Sequence, residues 1–196
     1  RMRDYTGASL DGLMVGYGDA PLQQVTATDI FSATGLTKVK TLGTATGTAG
    51  DPANWRDATF DDSTWPLGTR GSTTPVGGNN PVVGADPIWT ATAPNQPTET
   101  ILVRQKFSLN NGIITAAKIV GSMAGHTSES TDNLGLGLWI NNVYIVGHNS
   151  NEPETTDVVS PSVLRNGSNN VIAIKINAFK ISTAQEAWIS YALTVS

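Results

Sequence analysis

The chain has 196 residues, enough for one domain with a sizeable core. Charged residues make up only 14% of it, and the formal net charge is −4 with no basic stripe, which argues against a nucleic-acid partner. No apolar run is long enough to insert through a bilayer as a helix, and the absence of cysteine excludes disulfides, thiolate metal sites and a cysteine nucleophile.

Read in chain order, residues 1–50 differ from the rest and are expected to form an N-terminal arm ahead of a main domain at 51–196. Gly12-Leu-Met-Val-Gly16-Tyr-Gly18 is an apolar run punctuated by glycine. Within it and just before it, Leu10, Leu13, Met14, Val15 and Tyr17 are the candidate docking residues of an assembly arm, since arms can lay strands or apolar side chains on a neighbour. Thr37-Lys-Val-Lys-Thr-Leu42 alternates like a strand, and the small-residue tract 41–50 reads as a linker or exposed loop. Next comes Trp55-Arg-Asp-Ala-Thr-Phe60-Asp61-Asp62-Ser63-Thr-Trp65, an aromatic clasp around a polar corner. Its indoles are expected to close the edge of the core, with Asp61 and Asp62 shaping the turn. Residues 68–98, rich in Gly, Pro and Asn, read as one long loop. Beyond residue 100 the pattern is β. Leu102–Leu109 places Val103, Gln105, Phe107 and Leu109 on one face, and Ala116–Ala124 is a second strand. Leu134–Ile140 and Val143–Val146 flank Asn141-Asn142, a two-residue hairpin turn suited to positive φ. Val171–Phe179 aligns Ile172, Ile174 and Ile176, and Trp188–Val195 aligns Ile189, Tyr191, Leu193 and Val195. Many short strands with no long helix predict an all-β antiparallel sandwich.

Four of these segments, in order, resemble the galactose-binding-domain-like jelly roll found as an accessory domain in β-galactosidases and α-L-rhamnosidases. The matching stretches are Trp55 to Trp65, Leu102-Val-Arg104-Gln-Lys-Phe107, Asp132-Asn133 with Leu138-Trp139-Ile140-Asn141, and Leu164-Arg-Asn-Gly167-Ser-Asn169-Asn-Val-Ile172. The resemblance spans roughly residues 52–195. It departs at Asn142, where the hairpin pattern prefers glycine, although Asn tolerates the left-handed conformation. It implies the jelly-roll fold for that stretch, and residues 1–50, read as an N-terminal extension, lie outside it. It also implies a role that is carbohydrate binding in some members and bracing of neighbouring domains in others.

For chemistry, the adjacent Asp61 and Asp62 suit a turn better than a glycosidase pair, which needs two carboxylates at a set separation. His126 and His148 have neither a nucleophile elbow nor zinc spacing. No catalytic residues and no cofactor are therefore expected, and the chain reads as non-enzymatic. The oxygen-rich loops leave a structural Ca²⁺ as the one metal to consider. A sugar site needs an aromatic platform with polar partners. Trp89 and Trp139 are the candidate rings, and His126, Glu129, Asp132, Asn149, Asn151 and Glu152 the candidate partners. With Met2 as a start lacking a secretory leader, the expected role is a surface-displayed structural or adhesion protein of a larger assembly, such as a phage capsid-decoration, tail or fibre protein. Its partners would be neighbouring subunits and surface glycans, and its location the virion surface or the extracellular space. The alternative is a secreted or cell-surface carbohydrate-binding module of a glycosidase-type protein.

Overall fold

A computed structural model describes residues 27–42, 51–71, 81–90, 98–124, 136–148, 155–179 and 188–196. Two antiparallel sheets face each other in a jelly-roll-like sandwich. One contains β2 (Lys38–Thr41), β5 (Thr98–Leu109), β10 (Gly167–Phe179), β7 (Leu136–Ile140) and β8 (Val143–His148), in that order. The other runs β3 (Thr69–Arg70), β4 (Ile88–Trp89), β11 (Trp188–Val195), β6 (Ala117–Ala124) and β9 (Thr155–Val159), with β1 (Thr28–Phe31) also paired to β11. A 3-10 turn, Pro161–Val163, precedes β10.

Strand alternation builds the inter-sheet core. Ile101, Val103 and Leu109 of β5, Ile172, Ile174 and Ile176 of β10, and Leu138 and Ile140 of β7 meet Ile189, Tyr191, Leu193 and Val195 of β11. The faces anticipated for β5, β10 and β11 are the faces observed. Gln105 lies on the same inward face, and its buried amide makes three hydrogen bonds. Its Oε1 accepts from Thr37 Oγ1 at 2.9 Å and from the Tyr191 hydroxyl at 2.7 Å, and its Nε2 donates to the Phe31 carbonyl at 3.0 Å. A buried amide of one sheet bonded to the other ties them in one register. Burial pushes the Tyr191 phenol well above its ordinary value, with the bond to Thr37 opposing, so it stays a neutral donor.

The expected boundary at residue 50 has two sandwich strands on its N-terminal side. β1 pairs with β11 and β2 with β5, so consecutive strands enter opposite sheets. The segment 68–98 contains β3 and β4 where a loop was expected. Each is two residues long, too short for periodicity to register. Residues 81–90 are pinned as well, Val82 N–H donating to Ser190 Oγ at 2.8 Å and the Ser32 hydroxyl to the Asp86 carbonyl at 2.7 Å.

The Asn141-Asn142 hairpin is present as expected, with φ of 50° and 67° and Ile140 paired to Val143. Positive φ at both positions is the two-residue turn that matches strand twist. Asn141 also reaches out of the turn. Its Nδ2 donates to the Val163 carbonyl and to Asn170 Oδ1, both at 2.8 Å, and its Oδ1 accepts from Val171 N–H at 3.0 Å. Asn170 is the buried member of the Asn169-Asn170 pair. A register shift between Gly167 and Asn170 leaves Asn169 exposed at φ 74°.

Candidate functional site

The clasp lies on the outer face of the five-stranded sheet, which corrects its expected place at the edge of the core. Residues 51–66 run through successive turns, Asp57 N–H bonding the Asn54 carbonyl, Phe60 N–H the Asp57 carbonyl and Trp65 N–H the Asp62 carbonyl. They lie over the side chains that β5 and β10 point away from the inter-sheet core. Trp55, Trp65, Leu102 and Ala173 form a second small core, flanked by Leu42, Phe60 and Trp139. Burial of each large apolar side chain there contributes about 1.5–3 kcal/mol.

Arg104 holds the clasp down. Its side chain is fully buried, with Nε on Asp62 Oδ2 at 2.9 Å, Nη1 on the Trp55 carbonyl and Nη2 on the Asp57 carbonyl at 3.1 Å. Burial lowers its pKa from the ordinary value and the bond to Asp62 opposes this, so the cation is kept by its partners. Lys106 and Lys38 add bonds to the Phe60 and Asp62 carbonyls at 2.8 and 3.0 Å. The two acids therefore have different roles. Asp61 shapes the turn as expected, Oδ1 accepting from Ser63 N–H at 2.9 Å, and that bond holds its carboxyl below the ordinary aspartate value. The Asp62 carboxylate instead points to Arg104.

At the other end of the clasp the layer opens to solvent. Trp139, between the inward Leu138 and Ile140, projects outward. Its ring lies back along the strand over Gly137, where a Cβ would stand inside the indole. It meets Trp55 edge-on at 6.0 Å between ring centroids and Tyr144, its partner across the hairpin, at 5.6 Å. Tyr144 is 58% exposed and Val143 46%. The Arg56 guanidinium sits 4.0 Å from the Trp139 centroid and 5.4 Å from that of Trp55. Asp51 is nearby, but both its oxygens accept from Lys175 Nζ, at 2.8 and 2.9 Å, leaving Arg56 a 3.9 Å contact. Arg56 Nε and Trp55 Nε1 are buried without a hydrogen-bond partner. An indole edge, an exposed phenol and a cation with unspent donors can stack on a C–H face and donate to oxygen.

Of the expected sugar-site residues, Trp139 falls in this corner. Trp89 is placed in the inter-sheet core, 3% exposed, where its ring has no open face. His126, Glu129, Asp132, Asn149, Asn151 and Glu152 lie outside the described residues, as do the arm residues Leu10, Leu13, Met14, Val15 and Tyr17. Tyr144 and Arg56 were not anticipated. Tyr144 carried a usable signal, because a two-residue turn at 141–142 places residue 144 opposite residue 139. Among the described residues, no group of three or more His, Asp or Glu could hold a metal ion. Most of the oxygen-rich loops weighed for Ca²⁺ lie outside those residues. No helix among the described residues is long and apolar enough to cross a membrane.

No protein-family model matches the chain, and no curated protein matches it. Solved structures do match. A glycosyl hydrolase family 2 member from Bacteroides cellulosilyticus superposes with a TM-score of 0.50 at 15% identity, over 87% of this chain and 20% of that one. A calcium-binding mutant of Bacteroides uniformis beta-glucuronidase 2 superposes with a TM-score of 0.51 at 15% identity, over 87% of this chain and 18% of that one. The chain thus spans about a fifth of each of these proteins, and what it shares with them is the fold of one sheet-rich domain.

Proposed function

We propose that the chain is a non-catalytic carbohydrate-binding module of the galactose-binding-like type, an accessory part of a secreted or cell-surface glycosidase-type protein. The observation that carries this reading is the solvent-open corner of Trp139, Tyr144 and Arg56 on the outer face of the five-stranded sheet. Exposed aromatic edges beside donors suit a sugar's alternating apolar faces and hydroxyls. The fold likeness supports the same reading by analogy, because it covers about a fifth of family 2 chains rather than a whole enzyme. These neighbours favour the module over the virion subunit, for which the described residues offer no specific support.

The test is a glycan array probed with the whole chain, followed by titration calorimetry on the hits. At least one oligosaccharide should bind, and Tyr144→Ala, which removes an exposed ring, should weaken that binding by about tenfold. A folded chain that binds no glycan at millimolar concentration, or a Tyr144→Ala variant that binds as the parent does, would sink the assignment.

A further inference from the structure

We infer that Arg56 is the anion-reading group of this corner and that its ligand is an acidic oligosaccharide, recognised through a carboxylate. The inference rests on the carbohydrate-binding reading and narrows its substrate class.

The first ground is the state of the Arg56 donors. A guanidinium carries five N–H donors and no acceptor. Among the described residues Arg56 makes no side-chain hydrogen bond; its polar contact is the 3.9 Å approach of Nη2 to Asp51, beyond hydrogen-bonding distance. Its Nε is enclosed and unpaired. The rest of the guanidinium is partly open, with its side chain 32% exposed, so its terminal N–H groups are the donors a ligand acceptor can meet.

The second ground is charge. Asp51 is the acid beside Arg56, yet two short bonds commit it to Lys175. Among the described residues, the ion pairs of this group join two cations, Arg56 and Lys175, to the one anion Asp51, on a chain whose net charge is −4. The third ground is geometry. The guanidinium lies over Trp139, whose ring also meets the exposed ring of Tyr144 edge-on. A planar fork of donors fits a carboxylate in two parallel bonds, which a hydroxyl cannot match. A uronic acid residue can present a C–H face to Tyr144 and its carboxylate to Arg56 together. A neutral sugar uses only half of this arrangement.

The experiment compares tetragalacturonate, its fully methyl-esterified form and a sulfated galactan oligosaccharide of similar length, by titration calorimetry and by the arginine Nε–H cross-peaks in NMR. The free acid should bind about tenfold or more tighter than the ester, and the preference should fall with salt. The Arg56 Nε–H resonance should move with the acid and stay in place with the ester. In Arg56→Gln the acid-to-ester ratio should fall to about one, whereas Arg165→Gln, which removes an exposed cation elsewhere, should leave it unchanged. The cross-peak is read on the unaltered chain, so the test survives a variant that does not fold. Equal binding of acid and ester, a preference that survives Arg56→Gln, or an unmoved Arg56 resonance overturns the inference while the carbohydrate reading stands. Binding confined to the sulfated oligosaccharide overturns the carboxylate assignment. If no sugar of any kind binds the folded chain, both readings fall.

Discussion

Two arginines lie in the clasp layer, each over aromatic rings, and they are treated in opposite ways. Arg104 sits 5.0 Å from the Phe60 centroid and 6.0 Å from that of Trp65, fully buried, with bonds to a carboxylate and two carbonyls. Arg56 sits closer to its ring, at 4.0 Å from Trp139, is partly exposed and makes no such bond among the described residues. Stacking therefore does not separate a structural arginine from a reading one. The use of the donors does. A guanidinium with its donors spent is part of the fold, and one with donors unspent at the surface is equipped to meet something else.

The comparison can be broken at its structural end first. Arg104→Leu leaves Asp62 with only its 3.7 Å approach to Lys106 and releases the Trp55 and Asp57 carbonyls, so the loss should be about 3–5 kcal/mol, read from the shift in urea midpoint. A loss below about 1 kcal/mol would show that the clasp is held by its rings alone. Gly137→Ala should cost about 1–3 kcal/mol, because the new methyl must push the Trp139 ring off the strand. Near-ultraviolet circular dichroism should change with it, and an unchanged spectrum would contradict the seating of the ring. Arg56→Gln should cost no more than about 1 kcal/mol, since a partly exposed stack and a long ion pair are all that it loses. A loss as large as that of Arg104→Leu would erase the distinction.

The smallest effect separates the two acids. Asp61 has its folded pKa lowered by the Ser63 N–H, so its contribution is complete above the ordinary value of 3.8 and is lost as pH falls through the lower folded value. Asp61→Asn keeps an acceptor for Ser63 but cannot titrate. Its thermal midpoint should fall less steeply than the parent's below about pH 4. Equal slopes would mean that Asp61 contributes nothing to acid lability.

The sandwich was legible wherever alternation ran for several residues. Val103 with Gln105 and Leu109, Ile172 with Ile176, and Ile189 with Val195 declare an inward face by period two, and the 141–142 turn declares its hairpin by residue type. The outward faces were harder to read. Leu102, Arg104 and Ala173 also alternate, but period two cannot say what covers them, so the clasp was assigned to the wrong place on the sheet. Arg104 carries a hint, since a cation that a strand buries needs an acceptor, and the Asp61-Asp62 pair is one supply of carboxylate in the sequence. The binding corner was half legible. Trp139 stood out by alternation against Leu138 and Ile140, whereas Arg56 has no pattern of its own and gains meaning only when a tertiary contact sets it over an indole.

The covering of β5 and β10 on both faces has a consequence in time. Their central amides, around Val103 and Ala173, are sealed between the inter-sheet core and the clasp layer and should exchange hydrogen only when the whole domain opens. The amides of β8, at the sheet edge beside the exposed Tyr144, should exchange through local fraying. The slowest-exchanging protons of this chain would therefore mark the centre of a three-layered region, and their rate would measure the stability of the whole domain.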